Sequence, residues 1–163
     1  MQVTAQITYP AAPEAVFAML TDEAFLTQVC EATGAVRHEV GVVREGAGAT
    51  VTTRRELPTD QVPDFVKRFV GETLTVLRVD TWGPAAADGS RAGTLVVDIV
   101  GAPVRLTGTL ALRADGAGTV EDVDGDLKAS VPLVGGRIEK ATEPAIRAGL
   151  RKEDRLGQAW LKR

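Results

Sequence analysis

A chain of 163 residues suits one domain, able to bury about two thirds of the surface that its unfolded state exposes, and 44% hydrophobic with 25% charged residues excludes disordered and fibrous classes. A net charge of -3 and a pI near 5.3 exclude the broad cationic footprint that a phosphate backbone requires, so no nucleic acid partner is expected. The single Cys30 can form no internal disulfide and reads as a small buried hydrophobe, no apolar run approaches bilayer length, and MQVTAQITYP does not read as a secretory leader, so a cytoplasmic location without integral membrane association is expected.

Residues 2 to 9 alternate, Val3, Ala5, Ile7 and Tyr9 against Gln2, Thr4, Gln6 and Thr8, which is the period of a strand with one wet face. Pro10 and Pro13 break it, and Pro13 suits the first turn of a short helix carrying Val16, Phe17 and Leu20 at helical spacing. Thr21 or Asp22 can cap a second helix, whose stripe is Phe25, Leu26, Val29 and Cys30 and which Gly34 ends. From residue 35 to about 131 the period is two, broken by turns at Gly46-Ala47-Gly48, Asp88-Gly89 and Asp115-Gly116-Ala117-Gly118.

Within this meander Val36, His38, Val40 and Val42 share one face, and Val51, Thr53, Arg55 and Leu57 share one face of the next strand. Residues 62 to 70 interrupt it with a small helix, for which Asp60 is the expected cap and in which Phe65, Val66, Phe69 and Val70 recur at helical spacing. The stretch Leu74 to Trp82 is a strand with two mixed faces, whose inward side the pattern does not settle. Leu95, Val97 and Ile99 form the apolar face of another strand, and Val104, Leu106, Leu110 and Leu112 that of the one after it. The last strand, residues 119 to 131, sets Val123, Leu127, Ala129 and Val131 against the acidic run Glu121, Asp122, Asp124 and Asp126, which is expected to be a solvated strand edge rather than a calcium loop. After Gly135-Gly136, one side of a long helix collects Ile138, Thr142, Ala145, Ile146, Gly149, Leu150, Leu156 and Trp160. At 1.5 Å per residue such a helix spans roughly 40 Å and crosses the whole molecule.

Strand, two short helices, a run of strands and one long amphipathic helix make an α+β pattern in which only the last helix is long enough to cover the sheet. This order resembles the START-related SRPBCC superfamily, which includes polyketide cyclases and binders of the birch-pollen-allergen type. Thr8-Tyr9-Pro10, Leu20-Thr21-Asp22, Pro63-Asp64-Phe65-Val66, Phe69-Val70-Gly71, and above all Ser130-Val131-Pro132-Leu133-Val134-Gly135-Gly136 with Ile138-Glu139-Lys140, are similar to an actinobacterial family of unknown function within it. The resemblance covers the whole of residues 1–163 and implies a single helix-grip domain: a curved antiparallel sheet of about seven strands wrapped around the C-terminal helix, with a cavity between them. It implies no family-wide reaction and no catalytic set. Pro144 departs from the uninterrupted helix expected; it bends the helix around the sheet or opens a portal near residues 134 to 143.

The candidates for contact with a guest in such a cavity are His38, Arg55, Phe65, Phe69, Trp82, Val97, Leu110, Thr142, Ile146 and Leu150. His38, the only histidine, is either a hydrogen-bonded core residue or a polar group of the cavity, and without a second His or Cys at ligand spacing a metal site is not expected. Arg55 is either exposed on a sheet edge or inside, where it would need Asp80, Glu39 or the anionic head of a ligand as a partner. Phe65 and Phe69 form a lid or plain core contacts, and Trp82 lines the cavity or seals a strand end. No acid-base pair, nucleophile elbow or phosphate loop is present, so no catalytic residue and no cofactor are expected. Three functions fit: binding or transport of an apolar small molecule (lipid, polyketide or aromatic), a cyclase or dehydratase in which His38 or an acidic neighbour moves a proton, and a structural or partner-binding domain, such as a homodimer, with no small ligand.

Overall fold

The computed structural model describes residues 1–60 and 62–163. In chain order the elements are β1 (Gln2–Tyr9), α1 (Pro13–Leu20), α2 (Glu23–Ala32), β2 (Arg37–Glu45), β3 (Gly48–Pro58), α3 (Asp64–Val70), β4 (Thr73–Trp82), β5 (Arg91–Ile99), β6 (Val104–Asp115), β7 (Gly118–Ala129) and α4 (Gly135–Leu161). The seven strands form one antiparallel sheet in the order β1-β7-β6-β5-β4-β3-β2. The curved sheet with its long C-terminal helix is the helix-grip arrangement expected from the sequence.

Local chemistry explains where the helices begin. Pro13 occupies the first turn of α1, where a missing N–H costs nothing. Asp22 caps α2, its Oδ1 accepting from the N–H groups of Ala24 at 2.8 Å and Phe25 at 3.2 Å. Asp60 does not cap α3: that helix starts at Asp64 behind Pro63, whose fixed φ sets the entry without any capping side chain. Pro144 leaves α4 a single helix through residues 135 to 161. Val36 lies just outside β2 and is 68% exposed, so it does not share the inward face of His38, Val40 and Val42.

Register decides which residues meet inside. Directly paired residues share a face, so one inward row runs Val40, Thr53, Arg78, Val97, Leu106, Leu127, and its neighbour runs His38, Arg55, Val76, Ile99. The strands β1, β7 and β6 hold the dry core with α1: Val3, Tyr9, Leu110, Leu112 and Leu127 are each at most 1% exposed and pack with Val16, Phe17 and Met19. Gly125 permits the close approach there, because a Cβ on it would sit 2.7 Å from Cδ1 of Leu106. The helix α4 packs chiefly on β7, β1, α1 and α2. The helix α2 packs on β2 and β3, and on the inward faces of β2, β3 and β4 the residues His38, Val40, Val42, Arg55, Leu57, Leu74 and Arg78 are half-buried.

Candidate functional site

On β4 the buried Val76, Asp80 and Trp82 alternate with more exposed residues, so Leu74 and Arg78 also face inward. Arg78 grips Asp80 with two nitrogens, at 3.0 and 2.8 Å, and reaches Glu153 of α4 with the third at 2.9 Å. This bidentate bond plus one joins the long helix to the middle of the sheet. Burial opposes the charge on Arg78, yet Asp80 and Glu153 outweigh it and hold the guanidinium well above its usual value. Burial raises the Asp80 carboxyl despite the neighbouring guanidinium.

Glu121 stands beside this group and is 1% exposed. The acidic run is therefore not a solvated edge: β7 lies between β1 and β6, so Glu121 points inward while Asp122 and Asp124 bond outward to Gln6 and Gln2. Burial first, then the charge of Glu153, pushes the Glu121 carboxyl up to about 8. Its Oε2 and the hydroxyl of Tyr9 are buried without a hydrogen-bond partner, and burial raises the Tyr9 phenol above its ordinary range, with the Glu121 charge adding to it.

Arg55 and His38 stand directly opposite each other across β3 and β2. Neither of the partners considered for Arg55 is available, since Asp80 is held by Arg78 and Glu39 lies on the exposed face opposite Arg54. Among the described residues Arg55 makes no ion pair and no side-chain hydrogen bond. Burial, together with the charge of Arg78, lowers its pKa from the usual arginine value.

A cleft of about 130 Å³ opens where α3, the first half of α4 and the ends of β4, β5 and β6 converge. Its walls are Val62, Pro63, Val66, Phe69, Val70, Leu74, Ile99, Ala102, Pro103, Val104, Val131, Ile138, Ala141, Thr142 and Ala145. Thr142 is the one polar side chain, and its hydroxyl donates to the Ile138 carbonyl of its own helix at 2.7 Å. Ala141, Thr142 and Ala145 flank Pro144, so the cleft lies against the helix segment that carries the proline.

Of the residues singled out from the sequence, Phe69 and Thr142 line this cleft. Phe65 does not: the Arg137 guanidinium covers its ring at 4.3 Å. His38, Arg55 and Val97 share the half-open concave face, and Ile146 and Leu150 are half-buried on α4. Leu110 is fully within the core, and Trp82 is 3% exposed, edge-on to Phe17 at 6.2 Å, with its indole nitrogen unpartnered. Sequence patterning left the facing of Arg78 open, considered Asp80 only as a partner for Arg55 and did not single out Glu121 or Glu153 as interior residues, while Val66, Val70, Ile99, Val104, Val131, Ile138 and Ala145 of the cleft wall were placed on apolar faces without being singled out for contact with a guest. A signal for Arg78 existed, since Val76 and Trp82 share its parity. Among the described residues no three His, Cys, Asp or Glu side chains cluster as a metal site, and no helix is long and apolar enough to cross a membrane.

A curled seven-stranded sheet, two short helices between its edge strands and a long C-terminal helix define a helix-grip fold. The chain belongs to the family described as protein of unknown function (DUF2505), whose model matches residues 4–161. Among solved structures it is similar to a protein from Thermus thermophilus, with TM-score 0.60 and 18% identity over 98% of each chain. It is also similar to the Zhui aromatase/cyclase from Streptomyces sp. R1128, with TM-score 0.56 and 14% identity over 96% of this chain and 93% of that one. A third match is to the di-domain ARO/CYC StfQ of the steffimycin biosynthetic pathway, with TM-score 0.64 and 12% identity over 97% of this chain and 50% of that one. No curated protein matches the chain.

Proposed function

We propose that this protein binds an apolar small molecule in the interior between sheet and long helix. The observation that carries this reading is the cleft of about 130 Å³ whose single polar side chain is already bonded within its own helix. An apolar cavity of about 150 Å³ is large enough to take benzene, so a cleft of this size and lining has room for a small apolar guest. Burying about 150 Å² of apolar ligand surface contributes roughly 4 kcal/mol before the costs of association. The half-buried concave face of β2 to β4 extends the available surface beyond the cleft.

The test is displacement of a neutral solvatochromic dye, Nile red, by alkanes, alcohols and polycyclic aromatics of graded size, with mass spectrometry of an organic extract of the purified protein. Saturable dye binding that apolar competitors reverse is the expected result. A protein that takes up neither dye nor competitor and yields an empty extract contradicts the reading. Cyclase chemistry is the second reading, favoured by the pairing of His38 with Arg55 on one concave surface and by the aromatase/cyclase names of two structural neighbours. It expects conversion of a polyketide-like substrate that His38→Ala abolishes while dye binding persists.

A further inference from the structure

The interior holds two guanidinium groups that face one another's surroundings yet are provided for very differently. Arg78 has two carboxylates, with all three of its nitrogens engaged. Arg55 has none, although it lies on the same inward surface and is desolvated enough to depress its pKa. A guanidinium carries five N–H donors in a planar fork, and leaving them desolvated without acceptors costs free energy that water reached through a half-open groove recovers only in part. Among the described residues no carboxylate bonds it: Asp80 and Glu153 turn to Arg78 instead, and Glu39 and Glu56 are borne on the opposite parity of their strands.

The position of Arg55 relative to the cleft is fixed by register. Arg55 pairs with Val76, Val76 pairs with Ile99, and Ile99 is a cleft wall; Leu57, two residues on, pairs with Leu74, also a cleft wall. Arg55 therefore stands two strand spacings, about 10 Å, from the apolar pocket along one continuous inward surface. We infer that Arg55 is the head-group site for the guest of this cavity, and that the guest is an apolar molecule ending in a carboxylate, its tail in the cleft and its two oxygens on the Arg55 fork. A carboxylate matches the planar fork with two parallel hydrogen bonds, which a hydroxyl or an amide cannot do. This inference rests on the proposal that the cleft binds apolar molecules and adds to it the chemistry of the head group.

The experiment compares matched pairs as displacers of Nile red from the full chain: decanoate against decanol, and 1-naphthoate against 1-naphthalenemethanol. A charge-assisted bond is worth enough that each carboxylate is expected to displace the dye at a concentration about tenfold or more below its alcohol. Arg55→Gln is expected to erase that gap by weakening the acids and leaving the alcohols unchanged, whereas Arg55→Lys, a point charge without the fork, keeps part of it. Which pair shows the gap distinguishes an aliphatic acid from an aromatic one. Equal displacement by acids and alcohols in the wild-type chain, or an undiminished gap in Arg55→Gln, overturns the head-group site while leaving the apolar reading intact. If the dye binds and none of the four displaces it, or the dye does not bind, the apolar reading falls and the head-group site with it. The melting temperature of each variant confirms that it is folded, and Arg55→Gln, which removes a desolvated charge without a partner, is expected to melt no lower than the wild type.

Discussion

Arg78 gives three nitrogens to two carboxylates, Asp80 on its own strand and Glu153 on α4, all within the interior. Removing one member of such a group strands the others, which costs far more than the group contributes relative to an apolar replacement of the whole. Arg78→Met is therefore expected to lower unfolding stability by about 3–5 kcal/mol, read from urea denaturation, whereas the triple replacement Arg78→Met, Asp80→Leu and Glu153→Leu recovers most of that loss. Glu121 makes the stability depend on pH. Its folded-state pKa is about 8 against an ordinary value of 4.5, so between these values the unfolded chain releases a proton that the folded chain keeps. The contribution of Glu121 is fully present below the unfolded value, fades as pH rises, and is gone above the folded one. Burial moves Asp80 in the same direction, so it adds to the same slope. Glu121→Gln is expected to flatten this decline, with the stability gap between variant and wild type widening from about pH 5 to about pH 8 in denaturation midpoints measured across that range. A gap that stays constant over those pH values would mean that Glu121 keeps an ordinary carboxyl in the folded state.

The order of elements and the start of α2 were legible in the chain because they depend on short-range chemistry: the period of two, the period of 3.6, and the cap offered by Asp22. The facing of β4 was not, because both faces of that strand are mixed and the carboxylate of α4 that meets Arg78 is distant in sequence. The same holds for Glu121 and Glu153, each an acidic residue hidden by elements distant in sequence. Gly157 shows the complementary case. It reads as a weak point of a helix, but it lies where α4 crosses β1 and α1, and a Cβ there would meet Cε1 of Tyr9 at 2.6 Å and Cε of Met19 at 3.1 Å. The Tyr9 ring is held by the core and cannot yield easily, so Gly157→Ala is expected to cost about 1–3 kcal/mol by overpacking, despite the better helix propensity of alanine. A thermal melt of that variant above the wild-type midpoint would show that Tyr9 moves freely enough to make room.

The long helix packs chiefly on β7 and β1, whereas the inward residues of β2 to β4 stay half-buried, and this asymmetry turns a packing pattern into a place for a guest. Sequence patterning put nine residues of the cleft wall on apolar faces but singled out two of them, Phe69 and Thr142, for contact with a guest, because a cleft at the meeting of α3, α4 and three strand ends draws residues from five separate stretches that share no local period. If the cleft is where an apolar molecule lodges, filling it with the protein's own side chain should remove binding without loss of stability. Ala141 offers this test, since it lines the cleft from α4, with Val66, Phe69 and Ile99 on the other walls. A phenyl ring there would bury apolar surface that is otherwise half wet, so Ala141→Phe is expected to melt at or slightly above the wild-type temperature. It is also expected to lose Nile red binding by about tenfold or more. Unchanged dye affinity in a folded Ala141→Phe would place the guest elsewhere, on the half-buried concave surface of β2 to β4, and wild-type binding would then respond to Val40 and Leu57 instead.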